Sequence, residues 1–163
     1  ESNLLEQLYK IQTLELEKTK DVRFGNGKCS SDMKLFEKKN EIIKSFSKDI
    51  INIIKKVIGS EIYVVDSFLN ILKTGSGTKP HKHLAPFDKK TGLDKQKYSL
   101  TYYISVGDQT GEEPGILKLY HPNEEILPSN GTMVIIPSGR THSSLYDGKN
   151  DRVMIGANFY SLY

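Results

Sequence analysis

Only one cysteine, Cys29, occurs in the 163 residues, so no internal disulfide can form. No secretory signal is visible either, and the two absences together give a reducing, cytoplasmic setting as the expectation. Long apolar runs are missing too. The longest, near Met133 to Ile136, falls far short of the roughly 18 residues that a membrane span requires, so no membrane partner is expected. Charge of one sign is also lacking: 23 basic and 20 acidic side chains leave a net +3. The small surplus lies on lysine-rich segments of the first third and has no aromatic-interleaved basic stripe beside it. A solvated face explains it, and no nucleic-acid partner is expected. Internal repeats and low-complexity tracts are absent, and the length suits a single domain over residues 1–163.

Residues 1–60 read as a helical buttress. Leu4, Leu5, Leu8, Ile11 and Leu14 recur at helical spacing. Over 32–58 a second stripe of Leu35, Phe36, Ile42, Ile43, Phe46, Ile50, Ile53, Ile54 and Val57 has Ser30 or Ser31 placed to cap its start and Gly59 to end it. From Glu61 onward the texture changes to short β-branched and aromatic runs between Gly, Pro, Asn and Asp clusters. Strands are expected over 62–73, 98–106, 116–120, 132–136, 143–146 and 153–160. Helices followed by strands give an α+β, mainly β architecture, a β-sandwich or barrel over 61–163 with the helices packed on one sheet. The longest connection, 84–97, is lysine-rich and a candidate lid.

All four histidines lie in the β-rich part: His81, His83, His121 and His142. His81 and His83 are two apart after a glycine-containing turn, which on an extended chain puts both imidazoles on one face, half of a metal site. His142 follows a strand end, and a barrel can bring it beside the pair as a third facial ligand for iron or a similar transition metal. His121, before Pro122, carries no such signal. Ten residues beyond His142, Arg152 begins the last expected strand. Inside a barrel its guanidinium needs an acid, and its fork fits a carboxylate two-pronged, which makes a metal-chelating dicarboxylic acid the natural partner. At the surface, Asp147 or Asp151 would serve instead.

The order His81-x-His83, then Tyr98-Ser-Leu-Thr-Tyr-Tyr-Ile104, Gly115-Ile-Leu-Lys-Leu, Gly131-Thr-Met-Val-Ile-Ile-Pro137, His142 and Arg152-Val-Met-Ile-Gly-Ala-Asn158 resembles the Fe(II)- and 2-oxoglutarate-dependent dioxygenases, especially their prolyl-hydroxylase-like branch. The resemblance runs from about Phe68 to Tyr160. It implies a double-stranded β-helix, the cupin-like jelly roll, and an oxygenase that uses Fe(II), 2-oxoglutarate and dioxygen to hydroxylate a C–H bond of a peptide or small molecule, releasing succinate and carbon dioxide. It further implies that His81 and His142 bind iron, that Arg152 and Tyr103 bind the distal carboxylate of 2-oxoglutarate, and that Asn158 lines the pocket.

The chain departs from that pattern at His83, where most members carry Asp or Glu. Period-two alternation favours His83 itself as third ligand, with Asp88 as the alternative. A third arrangement, His83-Leu-Ala85 with the carboxylate missing, resembles the 2-oxoglutarate halogenases. The same residues also fit the two motifs of the cupins, through Gly75-x5-His81-x-His83 and Gly131-x5-Pro137-x-Gly139-x2-His142. The rival expectation is therefore a cupin-type metalloenzyme, or a metal-binding barrel, that does not use 2-oxoglutarate. A cupin needs no arginine ten residues past its last histidine.

Overall fold

Period-two alternation becomes strand wherever it recurs after Glu61, and the shorter polar segments before it add to the same sheets. The structure, a computed structural model, describes residues 2–163. Its order is α1 (Ser2–Tyr9), β1 (Thr13–Glu15), β2 (Arg23–Phe24), β3 (Gly27–Ser30), α2 (Glu41–Ile58), β4 (Ile62–Leu72), β5 (Ser76–His81), α3 (Pro86–Lys90), β6 (Lys97–Ser105), β7 (Leu117–Leu119), β8 (Glu124–Ile126), β9 (Met133–Pro137), β10 (His142–Tyr146) and β11 (Arg152–Ser161). The large sheet runs β1-β3-β4-β11-β6-β9 and the small one β2-β5-β10-β7-β8, every ladder antiparallel. They remain two sheets and do not close into a barrel. No described helix is long and apolar enough to cross a membrane.

Helices cover one face of the large sheet, as expected. Leu8 of α1 and Ile43 of α2 pack with Leu69, Ile71, Val153 and Ile155, and further along Ile50 and Ile54 pack with Leu100, Ala157 and Phe159. Their other face is left to the space between the sheets.

Residues 1–60 differ from a purely helical buttress. The second helix starts at Glu41, not near 32, because Asn40 caps it: its side-chain oxygen accepts from the Ile42 and Ile43 amides at 3.1 and 3.2 Å, a cap that contributes about 1 kcal/mol. Leu35 and Phe36 continue the apolar spacing across this break but sit in a separate short turn. The Ser30 hydroxyl accepts from the Leu69 amide and caps nothing. Leu14, expected on the first helix, lies in β1, and β1, β2 and β3 extend both sheets. Strand β5 was hidden by its Ser-Gly-Thr-Lys-Pro-His composition. Gly77 belongs there for a packing reason, since a Cβ on it would meet the Ser144 carbonyl of β10 at 2.1 Å.

One irregularity shapes the large sheet. Asn158 of β11 pairs with Asp66 of β4, but the next residue, Phe159, pairs with Val64, so Val65 is an extra residue bulged out of β4. Alternation therefore changes phase. Asp66, Phe68 and Asn70 face the space between the sheets, whereas Val64 and Ile62 face α2.

Candidate metal centre and its cavity

Strands β5 and β10 meet end to start, with His81 directly opposite His142. His83 lies just past the end of β5, where its amide donates to the Ser138 carbonyl at 2.8 Å and holds the chain against the turn that precedes β10. The three ring centroids are 4.3 to 5.1 Å apart. One ring nitrogen from each lies within 4.8 Å of the others, and Nε2 of His83 is 3.3 Å from Nε2 of His142. Nδ1 of His81 faces the Lys79 carbonyl at 2.7 Å and Nδ1 of His142 faces the Arg140 carbonyl at 3.0 Å. A carbonyl only accepts, so the proton of each neutral ring sits on Nδ1 and the Nε2 lone pair is free.

Burial pushes all three pKa values down, His83 to about 3 and His142 to about 4, and for His83 the neighbouring imidazoles add to the effect. The cluster is therefore uncharged at neutral pH. Three neutral imidazole nitrogens, two already oriented by carbonyls behind them, fit a transition metal such as iron and do not fit the hard oxygen-seeking cations.

Asp88, the alternative third ligand, lies elsewhere. Its carboxylate accepts from the Lys97 ammonium at 2.9 Å, from the Ala85 amide at 2.6 Å and from the Tyr160 hydroxyl. Both oxygens are used, and the 84–97 segment, read as a candidate lid, is pinned by this knot and by α3. His121 is exposed and outside the group.

From the histidines a cavity of 300 Å³ extends between the sheets. Tyr103 and Asn158 line it; Arg152 does not. The Arg152 guanidinium is fully buried between the rings of Tyr146 and Tyr103, 4.7 and 5.6 Å from their centroids. It donates to the carbonyls of Val106, Pro114 and Gly115, which uses three of its five N–H groups. Gly115 permits this, because a Cβ there would lie 1.7 Å from the guanidinium. The fork expected to be free is thus mostly engaged, yet among the described residues no carboxylate neutralises it. In front of it, the Tyr103 hydroxyl is buried in the cavity wall with no hydrogen-bond partner among the described residues. Burial, opposed by the Arg152 charge, raises Tyr103 to about 12, so it remains a neutral donor. An orphaned donor backed by an unpaired buried cation fits a carboxylate at this end of the cavity.

Two cavity residues escaped the sequence reading. Arg23, on the two-residue β2, is held by Asp21, reaches Asn70 Oδ1 at 3.3 Å and lies over the Phe68 ring. Nothing in its polar surroundings marks it. A signal for Asp66 did exist: it is the one charged residue in the mainly apolar run 62–72, which invites the question of what it faces.

No protein-family model matches the sequence, and no curated protein matches it. Solved structures do. HygX from Streptomyces hygroscopicus, determined with nickel, 2-oxoglutarate and hygromycin B bound, superposes with a TM-score of 0.72 at 8% identity, covering 99% of this chain and 78% of that one. A prolyl hydroxylase from Trichoplax adhaerens, in complex with a peptide of hypoxia inducible factor, gives 0.69 at 14% identity over 98% and 76%. The fold is the double-stranded β-helix of the 2-oxoglutarate oxygenases. A predicted oxalate decarboxylase from Thermotoga maritima, at 13% identity over 95% and 96%, reaches 0.51. The double-stranded β-helix expected from the motifs is thus present, as two open sheets.

Proposed function

We propose that the chain is an Fe(II)- and 2-oxoglutarate-dependent oxygenase that hydroxylates a C–H bond of a peptide or small molecule. One observation carries the reading: three neutral imidazoles converge on a cavity whose far wall holds an orphaned phenol before an unpaired buried guanidinium. His81, His83 and His142 would hold the metal. Tyr103 would donate to the distal carboxylate of 2-oxoglutarate while Arg152 supplies the charge behind it. When bound, iron and 2-oxoglutarate supply dioxygen activation, with succinate and carbon dioxide as by-products. The protein's share is positioning and exclusion of water: the sheets enclose the cavity, and the Asp88–Lys97–Tyr160 knot fixes the segment next to the histidines. The fold shared with HygX and the Trichoplax prolyl hydroxylase supports this assignment, and the hygromycin B and peptide bound in those structures suit a substrate of either kind. The reading takes 1–163 as one domain of a cytoplasmic enzyme, consistent with the buried, unpaired Cys29.

Anaerobic addition of Fe(II) and then 2-oxoglutarate tests it: a weak visible charge-transfer band on addition of the second component is expected. A cupin-type activity without cosubstrate is the second reading, favoured by His83 in place of an acid. Iron binding with neither band nor succinate release selects that reading.

A further inference from the structure

A row of polar side chains crosses the inner face of the large sheet opposite the histidines, and its hydrogen-bond directions can be worked out. The Asn158 amide nitrogen donates to Asp66 Oδ1 at 2.7 Å, which leaves the amide oxygen to accept from the Ser99 hydroxyl at 2.7 Å. Ser99 has one proton and has spent it, so in its 2.9 Å contact with Ser138 the latter is the donor. The Ser138 carbonyl in turn accepts from the His83 amide. The chain starts beside the candidate metal centre and terminates on Asp66, to which every donor is directed. Asn158, expected to line the pocket as a cofactor-binding residue, has both ends of its amide engaged in this chain. Among the described residues, no side chain donates to the other oxygen of Asp66.

Charges around the cavity isolate Asp66 further. Arg23 is matched by the carboxylate of Asp21, Lys97 by Asp88, and Lys82, although it lines the cavity, is exposed to solvent between His81 and His83. The three imidazoles are neutral. On the oxygenase reading, a divalent metal on neutral ligands and a 2-oxoglutarate dianion cancel. Arg152 remains as the charge behind the cosubstrate at the Tyr103 end, and Asp66 remains as a carboxylate in the cavity wall with no ion-pair partner of its own among the described residues; burial raises its pKa.

We propose that Asp66 is the recognition group for a cationic substituent of the substrate, a primary ammonium or a guanidinium, with Asn158 as its positioning residue. The inference deepens the oxygenase reading by naming a substrate class, although the subsite exists whatever the chemistry beside it.

Matched probes test it: butylammonium, butanol and butyrate, titrated into the whole protein and followed by ligand-observed NMR. Co(II) absorption on the same samples reports the histidines. Butylammonium should bind about tenfold to a hundredfold more tightly than butanol, and butyrate least. Asp66→Asn should erase the cation preference while leaving Co(II) binding unchanged. Asn158→Ala should reduce it in part and Asp66→Glu restore some of it, a pattern that loss of packing would not produce. Should Asp66→Asn fail to fold, Asp66→Ser makes the same comparison. Equal affinity for butylammonium and butanol, or a preference that survives Asp66→Asn, overturns the proposal. A wild type that takes no metal yet shows the Asp66-dependent preference overturns the oxygenase reading and keeps the cation subsite.

Discussion

His81, His83 and His142 bring three imidazoles together with no acid among them, whereas a short way along the chain Asp88 meets Lys97 and Tyr160 with every oxygen answered. Both clusters are wholly or partly buried and both tie a loop to a strand. In the knot, burial disfavours the Asp88 carboxylate, but the hydrogen bonds from Tyr160 and Lys97 outweigh it and hold the group below the ordinary carboxylate range. At the histidines nothing outweighs burial, and His83 and His142 are held neutral at about 3 and about 4. A cluster completed by its own chain serves stability. One whose ring nitrogens converge with no carboxylate or cation among them is built for a guest.

Breaking the knot should have the largest effect. Asp88→Ala or Lys97→Met leaves its partner charged, buried and without its counter-ion, at a cost of roughly 3–5 kcal/mol in denaturant unfolding, with Co(II) stoichiometry unchanged in the protein that remains folded. Loss of the metal on Asp88→Ala would show that the loop, not the three-imidazole face, holds the third ligand.

The histidines should respond in the opposite sense. Zinc bound by four protein ligands contributes about 10–16 kcal/mol, so about 3 kcal/mol per ligand, or on the order of a hundredfold in metal affinity, should vanish with His81→Ala, His83→Ala or His142→Ala. Metal-free unfolding should change little.

Acid separates the clusters by pH window. The unfolded chain binds protons at histidine near pH 6.5, but the folded His142 and His83 resist until about 4 and about 3. Between these values the unfolded state carries more protons, so metal-free stability falls as pH drops below about 6.5 and keeps falling until those folded values are reached. Asp88, depressed in the fold, adds its loss only below about pH 4. Stability against pH should therefore lose part of its upper slope in His83→Gln, with His142 and His81 keeping the rest, and part of its lower slope in Asp88→Asn. Burial thus lowers the window for metal release well below the ordinary histidine range that the sequence suggests.

Smallest of all, Tyr103→Phe removes a hydroxyl that has no hydrogen-bond partner among the described residues. It should weaken 2-oxoglutarate by about tenfold in equilibrium titration without lowering stability. Arg152→Ala should lower both, since it also strips three buried carbonyls of their donor.

Alternation and spacing made the long strands and His81, His83 and His142 legible, because each depends on residues close in sequence. The rest depends on pairing. Strands β1, β2 and β3 are too short and polar to announce themselves, and the start of α2 was obscured because Leu35 and Phe36 keep helical spacing across a capped break. Of the two placements open for Arg152, inside the sheets or at the surface, the structure has the buried one, but its carbonyl partners come from the 106–115 loop, whose path no local pattern encodes. Asp66 and Ser99 acquire meaning only from the register that sets them on either side of Asn158.

The bulge at Val65 has a further consequence for how this chain can vary. Without the extra residue, alternation would run unbroken along β4, and a strand that turned Asp66, Phe68 and Asn70 toward the cavity would turn Ile62 and Val64 away from α2. One residue of slack frees the two halves of the strand from each other. The half beneath the helix can be selected for cohesion and the half beside the cavity for what it binds, so new specificities can be tried without putting the helix packing at risk.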